Sequence, residues 1–183
     1  MRTRFHGNAL RSYQRHFCHQ SRAFATGGSF SEGAANVSHV GSALLLYDDD
    51  CGFCRVCVAV VLVWDRHRRL RPVALQSDEA GGLLAGMPVP ERMASWHLSA
   101  PGRLHSAGAA FPPLLRELPG ATGLAALAER FPAVAERAYR LVARHRSALG
   151  RVLPERARRW ADATIERHRA DRNFAGRHPL SSW

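Results

Sequence analysis

The sequence predicts an α/β fold in which strands and helices alternate ahead of a helical C-terminal part. A short apolar run, Ala43–Tyr47, lies between Gly41 and an acidic turn, which indicates a buried strand. A longer apolar run at 56–64 lacks glycine and proline, which indicates a helix over about 52–66. A second strand, predicted at 70–75, completes a strand-helix-strand unit whose strands pair in parallel through a right-handed crossover.

Local signals predict the remaining elements in chain order. Ser77, followed by two acidic residues, predicts an N-capped helix over 77–85, and a loop follows over 86–90. Strands at 95–99 and 103–106, separated by a Pro-Gly turn, complete a β-α-β-α-β-β order. Additional C-terminal helices are predicted over 108–118 (interrupted at Pro112-Pro113), 122–130, 132–149 and 154–169. A flexible tail is predicted over 171–183.

The length of 183 residues favours one domain with extensions. We divide the chain into a leader or disordered segment (1–40), a domain (41–153), and a C-terminal helix and tail (154–183). The first segment is rich in Arg and Ser, which is typical of an organellar transit peptide as well as of a disordered bacterial leader. No stretch reaches the roughly 18 to 20 apolar residues of a membrane span. We therefore expect a cytoplasmic bacterial protein, or an organellar one if 1–40 is a targeting segment.

The formal charge of +11 comes from 26 basic residues, all of which are Arg. Complete replacement of Lys by Arg indicates GC-rich codon usage, which weakens the inference of an anionic partner from charge alone. The Arg-rich helices over 137–169 leave an alternative class open, a module that binds nucleic acid or an anionic surface. We do not expect nucleic acid as the main partner, because no recognition motif is present and few aromatic residues interleave with the Arg.

The helix predicted over 132–149 has an amphipathic pattern. Its apolar positions form one stripe, which we expect to face the core, with Arg side chains outside it in solvent. The stripe consists of Val134, Ala138, Leu141, Val142 and Leu149.

A C-x-x-C sequence, Cys51-Gly52-Phe53-Cys54, lies at the predicted strand-to-helix corner. At the start of a helix, free N–H groups and the positive end of the dipole favour a thiolate at Cys51. Cys54 lies one turn later, close enough to form a disulfide. We expect Cys51 to attack a disulfide as the nucleophile and Cys54 to resolve the mixed disulfide. No organic cofactor is implied, because sulfur carries the electrons, and the partners are a protein or small-molecule disulfide and an upstream thiol reductant.

Three carboxylates, Asp48, Asp49 and Asp50, precede the dithiol. Like charges beside a thiolate raise its pKa and so oppose the effect of the helix start. Asp50 could cap the helix, and Asp48 is a candidate to accept or return a proton during exchange.

Cys57 extends the motif to C-x-x-C-x-x-C, while Cys18 lies in the leader. We expect Cys57 to be buried in the core, and a second resolving thiol is the alternative. The run also leaves a metal or cluster site open. The position of a fourth ferredoxin-type Cys is occupied by Val61, and zinc would need a further ligand from elsewhere in the chain. The candidates for that ligand are His39, His67 and His97.

The stretch from Tyr47 to Cys54, Y-D-D-D-C-G-F-C, resembles the Y-D-G-x-C-x-x-C signature of the DCC family of thiol-disulfide oxidoreductases. Further similarity lies at 72–77, 96–103, 106–110 and 138–146, so the resemblance covers about 44–153. It implies a thioredoxin-like core and an enzyme of the protein-disulfide reductase type, with Asp48 at the family's Asp position. Two departures are Asp49 in place of Gly, and no proline near 94–95, where thioredoxins have a cis-proline facing the dithiol.

Overall fold

The computed structural model describes residues 42–100 and 102–175, with side chains described to residue 170. The predicted leader, Cys18, His39 and the last part of the predicted tail lie outside these residues. Within them, no helix combines the length and the apolar character that crossing a bilayer requires. The cellular compartment and the division into 1–40, 41–153 and 154–183 stay predictions.

A four-stranded mixed sheet forms the centre of the fold. The strands are β1 (Ala43–Tyr47), β2 (Leu70–Ala74), β3 (His97–Ala100) and β4 (Arg103–Ser106), and their order across the sheet is β2-β1-β3-β4. β1 pairs in parallel with β2 and antiparallel with β3, and β3 forms an antiparallel hairpin with β4. This is a thioredoxin-like core, so the predicted fold class is confirmed.

Seven α-helices and one 3₁₀ segment surround or follow the sheet in the described residues. They are α1 (Gly52–Trp64), α2 (Asp78–Leu83), α3 (Val89–Ala94), the 3₁₀ segment (Ala107–Ala110), α4 (Phe111–Glu117), α5 (Thr122–Arg130), α6 (Pro132–Val152) and α7 (Glu155–Ala175). Both ends of α5 agree with the prediction. The tail predicted from residue 171 was wrong for its first five residues, because α7 continues to Ala175.

Prolines account for two differences between predicted and observed helices. The loop predicted over 86–90 was wrong at its end, because α3 begins at Val89 with a proline in its first turn. The interruption predicted at Pro112-Pro113 was also wrong, because proline lies in the first turn of α4. A proline in the first turn costs no helical hydrogen bond, since its missing N–H would have no partner there.

Side chains of β1 alternate between two cores, as the period of a strand requires. Ala43, Leu45 and Tyr47 pack in the larger core, together with buried residues of α1, α4 and α7. Leu44 and Leu46 pack in the smaller core, which is closed by α2. All five residues of β1 are buried, so the strand that ends at the C-x-x-C motif has a fixed position.

Helix α7 contributes to the larger core and closes it over α1. Its Ala161 and Ile165 are buried there. Its buried His168 has Nε2 2.8 Å from the carbonyl oxygen of Leu70, and Arg68 donates to Nδ1 at 2.9 Å. These contacts tie the last helix to the start of β2.

The stripe on α6 does not face the core, and that prediction was wrong. Val134, Leu141 and Val142 are exposed, and no residue of α6 is fully buried. The face that packs on the rest of the domain instead carries Tyr139 and Arg146, which are half-buried.

A glycine allows α6 to approach the 3₁₀ segment closely. A Cβ atom on Gly108 would lie 2.6 Å from Cα and 2.8 Å from the backbone nitrogen of Glu136. The Gly108 N–H donates to Glu136 Oε2 at 2.9 Å. Backbone atoms cannot move aside as a flexible side chain can, so a larger residue at this position would displace α6.

We expect Gly108→Ala to lower the free energy of unfolding by roughly 1–3 kcal/mol through overpacking, as measured by urea denaturation. Gly123→Ala in α5 is the matched control, because no atom lies within 4 Å of its added Cβ. The control should be neutral or stabilising, since alanine favours a helix over glycine. Equal stability of the Gly108 variant and wild type would show that α6 does not depend on this close approach.

Candidate active site

The C-x-x-C motif lies at the junction of β1 and α1. Cys51 is the N-cap residue of α1, with extended backbone (φ −92°, ψ 103°), and its sulfur accepts a hydrogen bond from the backbone N–H of Cys54. This N···S distance is 3.3 Å. The suggestion that Asp50 caps the helix was wrong, because the Cys51 sulfur occupies that role. A thiolate here faces the free N–H groups and the positive end of the helix dipole.

The two sulfur atoms of the motif are 2.6 Å apart, and the Cys54 thiol donates to Cys51 Sγ. This hydrogen bond is the main reason that the pKa of Cys51 falls from 9.0 to about 6, against the opposing effect of burial. The same hydrogen bond, together with burial and the Cys51 charge, raises the pKa of Cys54 far above its ordinary value. At neutral pH the pair therefore contains a thiolate at Cys51 and a thiol at Cys54.

Asp48 is held beside the dithiol by three groups. Its Oδ1 accepts hydrogen bonds from Gln76 Nε2 at 2.8 Å and from the backbone N–H of Asp50 at 3.2 Å. Its Oδ2 lies 4.0 Å from Arg146 Nη1, and the carboxylate is only 15% exposed. Because its negative charge raises the pKa of Cys51, Asp48 opposes the hydrogen bond from Cys54.

Helix α6 brings two further side chains to the dithiol. The positive charge of Arg146 lowers the pKa of both cysteines. Burial raises the pKa of Tyr139 to about 12. The Tyr139 ring packs on Phe111 with centroids 6.3 Å apart, and Phe111 packs on Trp96 at 5.4 Å. Trp96 is also packed against the larger core.

Sequence reasoning assigned no role to Gln76, Tyr139 or Arg146. Gln76 follows β2, whose carboxyl end meets that of its parallel neighbour β1 at the same sheet edge, and this edge could have indicated it. The two α6 residues are seven positions apart and so lie on one helix face. That they face the dithiol depends on tertiary packing, which the sequence pattern does not fix.

Asp49, which lies where the DCC signature has glycine, accepts a hydrogen bond in the turn. Its Oδ1 accepts from the Tyr47 hydroxyl at 2.9 Å, and that hydroxyl accepts from Arg169 at 3.0 Å. Among the described residues other than glycine, positive φ occurs only at Arg68 and Ala107. The turn therefore places no left-handed strain on Asp49.

Cys57 is exposed, so its predicted place in the core was wrong. Desolvation of its thiol and the Cys51 charge raise its pKa to about 11, which leaves it protonated at neutral pH. As a second resolving thiol it stays a prediction.

The possible metal ligands that the structure brings together are not the three cysteines of the run, because Asp48 takes the place of Cys57. Among the described residues, ligand atoms of Asp48, Cys51 and Cys54 lie within 4.8 Å of one another. Arg146 lies beside them, and its positive charge opposes a cation. His67 is exposed, and His97 has its ring nitrogens 2.7 and 2.9 Å from oxygen atoms of Ser106 and Arg92. The geometry thus favours thiol chemistry over metal binding.

We expect Arg146→Gln to raise the pKa of Cys51 and Asp48→Asn to lower it, because their charges act on the thiolate with opposite signs. The thiolate absorbance of the reduced protein, followed against pH, measures both shifts. Arg137→Gln, an exposed charge on the same helix, is the control and should leave the curve unchanged. Shifts of the same sign in the Arg146 and Asp48 variants would contradict this electrostatic balance.

Comparison with known proteins identifies a family for the chain. The family model described as DCC1-like thiol-disulfide oxidoreductase matches residues 45–152, which are more than half of the 183-residue chain. No curated protein and no solved structure matches the chain. The match includes the Cys51–Cys54 pair and confirms the resemblance seen in the sequence. The chain therefore belongs to the DCC1-like thiol-disulfide oxidoreductase family.

Proposed function

We propose that the protein is a thiol-disulfide oxidoreductase of the protein-disulfide reductase type, with Cys51 as nucleophile and Cys54 as resolving thiol. The observation that carries this assignment is the hydrogen bond of 2.6 Å from the Cys54 thiol to Cys51 Sγ. It stabilises a thiolate on one cysteine only, and the thiolate is the species that attacks a disulfide. The substrate is a protein or small-molecule disulfide, and an external thiol supplies the electrons.

The reaction has two exchange steps. The Cys51 thiolate attacks one sulfur of the substrate disulfide, so a Cys51–substrate bond forms, the substrate S–S bond breaks, and a thiolate leaves. Cys54, once deprotonated, then attacks Cys51 Sγ and releases the second substrate sulfur as a thiolate. The substrate gains two electrons, and the enzyme is left with a Cys51–Cys54 disulfide, which the external thiol reduces by the same exchange.

Deprotonation of Cys54 is the step for which we propose a role for Asp48. While Cys51 is a thiolate, its hydrogen bond and charge keep Cys54 protonated. The mixed disulfide removes that charge, so the pKa of Cys54 falls when its attack is needed. Ligand atoms of Asp48 and both cysteines lie within 4.8 Å of one another, so the carboxylate is near enough to accept the proton directly or through one water.

Cysteine variants test the assignment. We expect Cys51→Ser to abolish reduction of a disulfide substrate and Cys54→Ser to accumulate a mixed disulfide at Cys51, identified by mass spectrometry. Cys57→Ser is the control. Because the exposed Cys57 is protonated at neutral pH, this variant should keep wild-type turnover. Wild-type turnover in both Cys51→Ser and Cys54→Ser would refute the pair, and a mixed disulfide at Cys57 would reassign the nucleophile.

The lowered pKa of Cys51 also links stability of the reduced protein to pH. The folded thiol ionises near pH 6, whereas the unfolded thiol keeps its ordinary pKa of 9.0. Between these values the unfolded state binds more protons, so this contribution to the free energy of unfolding rises with pH. It is lost as the pH falls through 6.

We expect Cys51→Ser to lack this rise, so the difference in urea midpoint between wild type and variant should grow from pH 6 to pH 9 under reducing conditions. Titrating groups whose pKa does not depend on Cys51 act equally in both proteins and cancel in the difference. A difference that is constant across this range would contradict a stabilised Cys51 thiolate.

A further inference from the structure

The outer face of α6 carries a row of exposed residues that no other described element covers. Val134 is 59% exposed, Leu141 60% and Val152 77%. They belong to a row with alternating spacings of four and three residues, which we call the α6 seam. It consists of Val134, Ala138, Leu141, His145, Ala148 and Val152, and all six are exposed.

The spacing of the seam fits a second helix. Alternation of three- and four-residue steps over nearly three heptads keeps one narrow line of side chains toward a partner helix. Small alanines between the larger Val and Leu leave holes for side chains of such a partner. A lipid surface needs no such register, and the helix faces that enter it carry large apolar or aromatic side chains in a wider band.

Positive charge lies along one flank of the seam. Arg137, Arg144 and Arg151 each precede a seam residue and repeat every seven positions. All three are exposed, and none of them forms an ion pair within the described residues. Arg140, in contrast, is paired with Glu136 at 2.7 Å. An occupant of the seam therefore needs acidic side chains opposite this flank.

We propose that the α6 seam docks an acidic amphipathic helix of a partner protein. Two other occupants of the seam lack the required charge. A second copy in antiparallel pairing would place Arg against Arg, and in parallel pairing it would place Arg beside Ala135, Val142 and Leu149. The first 40 residues of this chain contain five Arg and one Glu, so their net charge also has the wrong sign.

This surface is separate from the dithiol. Tyr139 and Arg146 lie on the inner face of α6, whereas the seam lies on its outer face. The proposal does not depend on the roles assigned to the cysteines, and docking and disulfide exchange can be measured independently.

The test uses the full chain and a synthetic, fluorescently labelled peptide of about three heptads, with Leu at its a and d positions and Glu at e and g. We expect binding by fluorescence anisotropy that weakens with salt. The double variant Leu141→Ser/Val152→Ser should weaken it about tenfold or more, as should Arg144→Glu/Arg151→Glu. The charge-reversed variant should instead bind the same peptide with Lys in place of Glu.

Matched controls lie off the seam. Val89→Ser removes an apolar residue that is 63% exposed on α3, and Arg156→Glu reverses an exposed charge on α7. Both should bind the acidic peptide as wild type does. The seam variants should keep wild-type circular dichroism and disulfide exchange, which shows that they fold.

Three results would overturn the proposal. The first is absence of peptide binding, or equal binding by wild type and seam variants. The second is seam-dependent binding to vesicles containing about 30% phosphatidylserine without peptide binding, which would identify an anionic bilayer as the occupant. The third is self-association in sedimentation that Leu141→Ser/Val152→Ser abolishes, which would identify a second copy of this chain.

Discussion

The hydrogen bond between the two sulfurs of the motif is the interaction on which the chemistry of this protein depends. It requires Cys54 to lie one turn into α1 while Cys51 occupies the N-cap position, so its geometry is set by where β1 ends and α1 begins. The buried strand and the core beneath α1 fix that junction. A shift of the helix start by one residue would remove both the thiol and the backbone donor from the Cys51 sulfur.

Charges around this hydrogen bond act in opposite directions. Asp48 disfavours the Cys51 thiolate and Arg146 favours it, and the two side chains lie 4.0 Å apart. Their mutual attraction also keeps the carboxylate beside the sulfurs, and the pair of Asp48 and Arg146 adds no net charge next to the thiolate. The dithiol thus has an acceptor for a proton close by, and the thiolate is not lost to the repulsion that three consecutive aspartates would otherwise produce. Gln76 contributes by holding Asp48 and Asp50 together through one amide.

Local signals were sufficient for the elements that depend on them. The bounds of β1, the bounds of β4 and both ends of α5 were predicted correctly because each is specified by residues within the element or next to it. The dithiol was found for the same reason, since its two cysteines are only three positions apart in the chain. Gln76 and Arg146 reach the site across the sheet edge and from a distant helix, so sequence spacing alone could not place them beside Asp48.

The orientation of α6 shows a second limit of prediction from sequence periodicity. Helical periodicity identified a stripe from Val134 to Leu149 but not the neighbour that the stripe faces. In the fold, α6 packs closely against the 3₁₀ segment, which Gly108 permits because it has no side chain. The face of α6 that makes this contact carries Glu136 and Tyr139. Close backbone approach and a hydrogen bond decided the orientation, so the apolar stripe was left outside.

Helix α6 has no fully buried residue, unlike α1 and α7, which contribute to the larger core. Its anchors include the Gly108–Glu136 hydrogen bond and the hydrogen bond of 2.6 Å that Arg158 donates to the Gly150 carbonyl. The hydrophobic effect therefore contributes less to the position of α6 than to that of α1 or α7. A helix can bind the outer face only while α6 is helical, so its binding would stabilise the helical state of α6 by mass action. Because α6 also carries Arg146, whose charge favours the Cys51 thiolate, such binding would help to keep that charge in place.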